Sequence, residues 1–151
     1  MEEQIFNRIV EFIEKTERYN ELSNRINYGE LTLSEVHCLD YIGRLEVPNV
    51  TGIAKAMRMT RGGITKLTSK LVGKGYIEKH SIQGNRKEVH FRLTDPGREI
   101  YLKHERIHEE ARMRETAFFS TFTQGEQKVI ADFLERLNGF TLSKIQELEE
   151  K

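Results

Sequence analysis

Residues 60–77 read TRGGITKLTSKLVGKGYI, and this stretch carries the signals of one complete short helix. Thr60 is a preferred N-cap residue, and Gly75 stands where a glycine ends a helix. Three apolar residues recur at helical spacing and form one face: Ile64, Leu67 and Leu71. The other residues are largely polar and basic. We therefore predict a helix that buries one side and leaves a polar, basic side exposed.

A second short helix is predicted immediately upstream, in the segment VTGIAKAMRM at residues 50–59. Ile53, Ala54 and Met57 would point inward from it. Two short helices joined by a tight turn, the second of them polar and basic, are typical of a helix-turn-helix motif.

The segment SIQGNRKEVHFRLT at residues 81–94 predicts a β-hairpin after this motif. Gly84 and Asn85 tolerate the left-handed backbone of a tight turn, and the flanking residues alternate between polar and apolar. Four apolar side chains are available for burial: Ile77, Val89, Phe91 and Leu93. The hairpin would carry Arg86 and Lys87 at its tip, and it makes the motif a winged helix-turn-helix.

Two helices are predicted before the motif. The first runs from Glu3 to about Ile26, with apolar residues at roughly helical spacing. The second begins at Thr32, because Thr32 and Glu35 have the spacing of a capping box. Its buried stripe is Val36, Leu39 and Ile42.

Two longer helices are predicted after the hairpin. For the first of them, Asp95 is the expected N-cap, with Pro96 at the first helical position, and the helix would run to about Phe119. Thr123 and Glu126 form a capping box for the last helix. Its apolar positions are Val129, Ile130, Phe133, Leu134 and Leu137.

The fold class that follows is mainly α with a small β wing. We expect an N-terminal helix of a dimerisation region (1–31), a winged helix-turn-helix domain (32–94) and the C-terminal helices of the dimerisation region (95–151). The long helices carry more apolar surface than one small winged domain can cover, above all at Phe118, Phe119, Phe122, Phe133 and Phe140. A homodimer would bury this surplus, and the alternative is that these helices and the first one cover each other within one chain.

The charge distribution favours a polyanionic partner for the middle of the chain. The net charge is zero, but residues 55–92 hold ten of the 24 basic and two of the 24 acidic residues. No apolar run is long enough to span a bilayer, and the acidic N-terminus is unlike a signal peptide. The single cysteine, Cys38, excludes an internal disulfide and fits a reducing cytoplasm.

The chain resembles the MarR family of bacterial transcription regulators. The residues that carry the resemblance are LTLSEVHCLDYI, IAKAMRMTRGGITKLTSKLVGKGYIEK and GNRKEVHFRLTDPGREI, including the LT-x-x-GR that leaves the wing. The family's wing usually has an aspartate before the arginine, where this chain has Asn85. The resemblance implies a homodimer held by the first and last helices. It also implies that the dimer binds pseudo-palindromic duplex DNA, with recognition helices in successive major grooves and wings beside them.

The residue types agree with that expectation. Arg61 and Lys66 can donate to guanine in the major groove, and Thr65 and Ser69 can reach bases or phosphates. Lys70 and Lys74 suit backbone phosphates. The candidate DNA contacts are Thr60, Arg61, Gly62, Thr65, Lys66, Ser69, Lys70, Asn85, Arg86 and Lys87. For Gly62 and Gly63, one reading is close approach to the DNA backbone, and the other is that a helix start tolerates glycine.

The signal that would control such a regulator is less defined, and no cofactor is required by the sequence. His104 and His108 share a helix face, and in this fold His37 lies on a helix that approaches theirs. They could bind zinc together with Glu17 or Glu21, in an arrangement that resembles zinc-responsive members of the family. Alternatively, Tyr19, His37 and Tyr41 could line a pocket for a small organic effector. Redox sensing by Cys38 is a further alternative, although a core thiol is inert.

Other function classes find less support. No catalytic residues are predicted, because the sequence lacks a Gly-rich phosphate loop and a nucleophile elbow. A winged-helix module for protein–protein contact is the main rival. Such a module would more often expose apolar residues on the second helix of the motif.

Overall fold

The computed structural model of the chain describes residues 1–82 and 85–150, with the side chains of residues 82 and 85–88 left out of that description. The helices and strands, in chain order, are α1 (Glu2–Tyr28), α2 (Leu33–Arg44), α3 (Val50–Met57), α4 (Arg61–Gly73), β1 (Ile77–Ile82), β2 (Asn85–Leu93), α5 (Asp95–Phe119) and α6 (Gln124–Glu149). The predicted mainly α architecture with a small β wing is confirmed. Two compact units are present, residues 1–106 and residues 107–151.

Local capping places the starts of α2 and α6 where the sequence predicts them. The Thr32 hydroxyl accepts from the Glu35 N–H, and the Glu35 carboxylate accepts from the Thr32 N–H, which completes a capping box at α2. Thr123 and Glu126 form the same arrangement at α6. Each contact satisfies an N–H group that the first helical turn leaves without a partner.

The start of α5 differs from the prediction by one residue. The Thr94 hydroxyl, and not the Asp95 side chain, accepts from the Gly97 N–H, at 3.3 Å. Asp95 is therefore the first helical residue, and Pro96 is the second. The Thr94 hydroxyl also donates to the Gly75 carbonyl oxygen at 2.6 Å. This contact with a residue outside the helix favours Thr94 over Asp95 as the capping residue.

The core of the first unit joins α2, α3, α4 and the base of the wing. The predicted inward positions Val36, Leu39, Ile42, Ile53, Ala54, Ile64 and Leu71 are buried, together with Leu31, Cys38, Ile77 and Phe91. Met57 and Leu67 are half-buried and pack against this core. Because α4 contributes its apolar face here, its opposite face is directed away from the core.

The wing is a two-stranded antiparallel hairpin in which Ile77 pairs with Leu93 and Lys79 with Phe91. The predicted turn residue Gly84 lies outside the described residues. Asn85, Arg86 and Lys87 were predicted between the strands, but their backbone belongs to β2, because strand pairing continues as far as Ile82 and Asn85. The register of the pairing shifts between Ser81 and Ile82, as at a β-bulge.

Gly97 marks a close approach between the start of α5 and the residue that follows the turn after α4. A Cβ at Gly97 would lie well inside the van der Waals radius of the Tyr76 carbonyl oxygen. The same oxygen accepts from the Thr94 N–H at 3.1 Å. Only glycine fits here without moving backbone, which gives a physical reason for the glycine of the LT-x-x-GR motif.

Large apolar side chains remain exposed within the single chain on α1, on the second half of α5 and on α6. Neither α1 nor α6 contains a buried residue. Phe12, Phe118 and Phe140 are 68 %, 59 % and 62 % exposed, so packing within one chain leaves them uncovered. No helix in the described part of the chain is both long and apolar enough to cross a membrane.

Candidate nucleic-acid interface

The exposed face of α4 gathers the polar and basic residues that the sequence singles out. Ile64, Thr68 and Leu71 are buried on the other face. The exposed residues are Arg61, Gly62, Thr65, Lys66, Ser69 and Lys70. They recur at intervals of three and four residues, which places them on one side of the helix. The predicted division of α4 into a core face and a polar face is therefore confirmed.

The first turn of α4 is open on its outer side. The Thr60 hydroxyl accepts from the Gly63 N–H at 3.1 Å and caps the helix. A Cβ built at Gly62 finds no heavy atom within 4 Å, so the fold itself does not require glycine there. A partner could therefore reach the backbone at Gly62, next to the positive end of the helix dipole.

The cations on this face form no ion pair with any acidic side chain that the structure describes. These cations are Arg61, Lys66 and Lys70, and Lys55 on the preceding helix α3 likewise makes no ion pair with a described side chain. Their positive charge is therefore not neutralised within the fold and is available to an anionic partner.

Lys74, predicted to reach a phosphate, is instead held by the fold. Its ammonium group lies 2.8 Å from a carboxylate oxygen of buried Glu35. Burial raises the pKa of the Glu35 carboxyl, but the hydrogen bonds from Lys74 and Thr32 outweigh burial and hold the pKa below its ordinary value. Glu35 thus caps α2 and at the same time fixes the end of α4, a second role that local sequence does not reveal.

For the three candidate DNA contacts on the wing, the structure describes the position of the backbone. Asn85, Arg86 and Lys87 are the first three residues of β2, and their side chains lie outside the described part of the structure. The strand starts at the end of the hairpin farthest from Leu93 and the core.

The histidine candidates converge in part inside the first unit. The His37 and His104 rings lie with their centroids 5.4 Å apart, and His104 is buried. The Tyr28 hydroxyl and His104 Nδ1 share a hydrogen bond of 2.8 Å. His108 follows His104 by one turn of the same continuous helix and is exposed. Tyr28 was missed by sequence reasoning, because it lies 76 residues from His104 and no local pattern links the two.

The remaining effector candidates are less concentrated. Tyr41 is half-buried, whereas Tyr19, Glu17 and Glu21 are exposed. Cys38 is fully buried, and burial raises the pKa of its thiol to about 12. A thiol with such a pKa is protonated at neutral pH and reacts slowly, so the structure gives Cys38 a packing role.

A family model described as "MarR family" matches residues 31–89, which span α2, α3, α4 and most of the wing. The HTH-type transcriptional regulator PchR of Bacillus subtilis (strain 168) is 36 % identical over 105 residues, a match that covers 70 % of this chain and 62 % of that protein. Over residues 31–89 the chain is therefore similar to the MarR family.

Two solved structures resemble this chain over nearly all its length. Streptococcus pneumoniae FabT, in a crystal structure with DNA, superposes with a TM-score of 0.75 at 25 % identity and covers 95 % of this chain and 99 % of its own. Lactococcus lactis ZitR, described as a zinc-responsive MarR family member, gives a TM-score of 0.73 at 25 % identity and covers 91 % and 99 %. The sequence match to PchR covers less than two thirds of that relative.

Proposed function

We propose that this protein is a transcriptional regulator that binds duplex DNA as a homodimer, in the manner of a ligand-responsive repressor. The observation that carries the proposal is the exposed face of α4, whose cations make no ion pair in the described structure. A groove of duplex DNA offers the phosphates and base edges that such a face can use. A regulator of this kind acts in the cytoplasm, in keeping with the lone cysteine.

Each candidate residue has a role in this proposal. Arg61 and Lys66 donate to guanine edges in the major groove, and Thr65 and Ser69 contact bases or phosphates. Lys70 contacts phosphate, and the open first turn at Thr60 and Gly62 admits the DNA backbone. On the wing, Arg86 enters the minor groove, where narrow A·T-rich stretches concentrate negative potential, with Asn85 and Lys87 beside it.

Dimerisation supplies the second half-site. In this proposal residues 1–31 and 95–151 form the dimerisation region around the DNA-binding domain 32–94. Support comes from the exposed apolar side chains of α1 and α6, which a partner chain would cover. A two-fold dimer presents two α4 helices, so the operator is a pseudo-palindrome.

The experiment that tests this function is selection of bound duplexes from a random pool, followed by affinity measurements over a range of salt concentrations. A DNA reader returns a pseudo-palindromic motif, and its affinity falls steeply with salt. A winged-helix module for protein contact returns no motif and shows weak, unspecific binding. The exposed face of α4 argues against that module, because no large apolar residue interrupts it.

We also propose that zinc is the signal that controls this regulator. Support comes from the ring contact of His37 with His104 and from the position of His108, which follows His104 by one turn of α5. The donor set fits zinc, which takes neutral imidazole nitrogen. If His104 Nδ1–H donates to Tyr28, the contact orients the ring and leaves Nε2 for the metal. The zinc-responsive description of ZitR points the same way.

A thermal-shift series tests the zinc proposal. Zinc should raise the unfolding temperature of the wild type, since a ligand bound only by the folded state stabilises it. The gain should disappear in His104→Ala and below about pH 6, where histidine holds a proton instead. His80→Ala, which removes an exposed histidine on β1, is the matched control and should keep the gain. If zinc shifts neither stability nor DNA affinity, a small organic effector near Tyr19, His37 and Tyr41 becomes the better proposal.

A further inference from the structure

Arg58 is the exception among residues with a left-handed backbone. In the described part of the chain, positive φ occurs at Gly29 (61°), Gly75 (77°) and Arg58 (53°). Glycine takes this conformation without steric cost, whereas a Cβ is disfavoured there. The chain thus places glycine at two such positions and a bulky cation at the third.

The turn between α3 and α4 imposes the conformation of Arg58. Arg58 is the C-cap of α3, with φ 53° and ψ 43°. Its left-handed backbone lets the Met59 N–H donate to the Ala54 carbonyl oxygen at 3.0 Å, and Thr60 then caps α4. Glycine is the residue most often found where a helix ends in this way. The turn therefore gives no reason for an arginine.

Packing and electrostatics within the protein give no reason either. The Arg58 side chain is exposed, and it forms no ion pair or side-chain hydrogen bond with any residue that the structure describes. It precedes the N-cap Thr60 by two residues, beside the open first turn of α4. An unfavourable backbone conformation that no described contact of the side chain compensates often indicates a functional contact.

We infer that Arg58 binds a DNA phosphate and thereby positions the first turn of α4 in the groove. The inference rests on the proposed DNA-binding function and adds a contact residue to it. A phosphate contact fixes orientation and register without reading sequence, which suits a side chain on the turn before the recognition helix. The free energy lost in the left-handed turn is offset in the complex.

The test compares Arg58→Gly with the wild type on a selected duplex. Two lost phosphate contacts per dimer should lower the slope of log affinity against log salt by about 1.8. Between 0.05 and 0.2 M salt, the wild type should therefore lose about 12-fold more affinity than the variant. The unfolding temperature of Arg58→Gly should rise, because the left-handed position gains glycine.

Two matched variants complete the test. Arg58→Lys keeps the cation and should keep the wild-type slope, whereas Arg58→Asn, which tolerates the left-handed backbone, should match Arg58→Gly. An unchanged slope in Arg58→Gly would overturn the contact. The proposed function fails separately, if the wild type shows no salt-dependent duplex binding. Binding that Lys70→Ala weakens and Arg58→Gly does not would overturn the Arg58 contact alone.

Discussion

Replacing Gly62 by alanine should make the protein more stable and its DNA binding weaker. Gly62 is the second residue of α4, its φ is not positive, and a Cβ there meets no heavy atom within 4 Å. The methyl group therefore causes no clash in the free protein. Glycine in a helix is less favourable than alanine by about 0.5–1 kcal/mol, so each chain should gain about that much stability.

The gain translates into a small rise in unfolding temperature. For a domain of this size, 1 kcal/mol corresponds to about 2–4 °C, so the expected shift is about 1–4 °C. Differential scanning calorimetry at fixed protein concentration measures it. In the complex, the same methyl group would stand between the helix backbone and a phosphate, and affinity for a selected duplex should fall at least roughly tenfold, about 1.4 kcal/mol.

Gly73→Ala is the matched control on the same helix. Gly73 is the last residue of α4, and a Cβ there also meets nothing within 4 Å. It lies about 16 Å along the helix axis from Gly62, at a rise of about 1.5 Å per residue. Gly73→Ala should not lower DNA affinity. If Gly62→Ala binds DNA as tightly as the wild type, the first turn of α4 does not approach the DNA backbone, and Gly62 is merely tolerated.

Three further outcomes are expected. Equilibrium sedimentation at micromolar concentration should show one species of twice the chain mass, and a folded monomer would contradict the proposed assembly. Arg86→Ala should weaken binding to A·T-flanked operators by about 1–3 kcal/mol per dimer and G·C-flanked ones less, whereas Lys70→Ala should weaken all duplexes alike. Lys74→Ala should destabilise the fold at pH 7 by about 1–3 kcal/mol, since it removes a charged hydrogen bond to buried Glu35. The folded-state pKa of Glu35 is lowered, so the stability from this ion pair is present above the ordinary pKa of 4.5 and is lost at lower pH. Urea unfolding at pH 3.5 should therefore show a smaller difference in stability between the wild type and Lys74→Ala than at pH 7. An equal difference at the two pH values would refute the ion pair.

Local contacts explain why most helix boundaries could be predicted from the sequence. Thr32, Thr60 and Thr123 each accept from the N–H three residues later, so the signal lies within four consecutive residues. Asp95 failed as a cap because Thr94, an equally suitable neighbour, also donates to the Gly75 carbonyl oxygen. That contact joins residues 19 apart and leaves no local signature.

The candidate interface was predictable for the same reason, up to a limit. The helical period alone divides α4 into buried Ile64 and Leu71 and exposed Lys66 and Lys70. The engagement of Lys74 by Glu35 was not predictable, because the two are 39 residues apart and an exposed lysine gives the same pattern. The left-handed backbone of Arg58 was not predictable either, because an arginine in the sequence gives no indication of a positive φ.

The contact at Gly97 bears on how a signal could travel through the protein. No side chain separates the first turn of α5 from the Tyr76 carbonyl oxygen, so the backbone at Gly97 packs directly against the backbone at Tyr76. Close packing of this kind couples the movements of the two segments. Tyr76 leads directly into β1, and His104 lies two turns further along α5. A change at His104 that tilts α5 would therefore also rotate the hairpin as a rigid body. The direction of the wing would change, while the pairing between its two strands would stay intact.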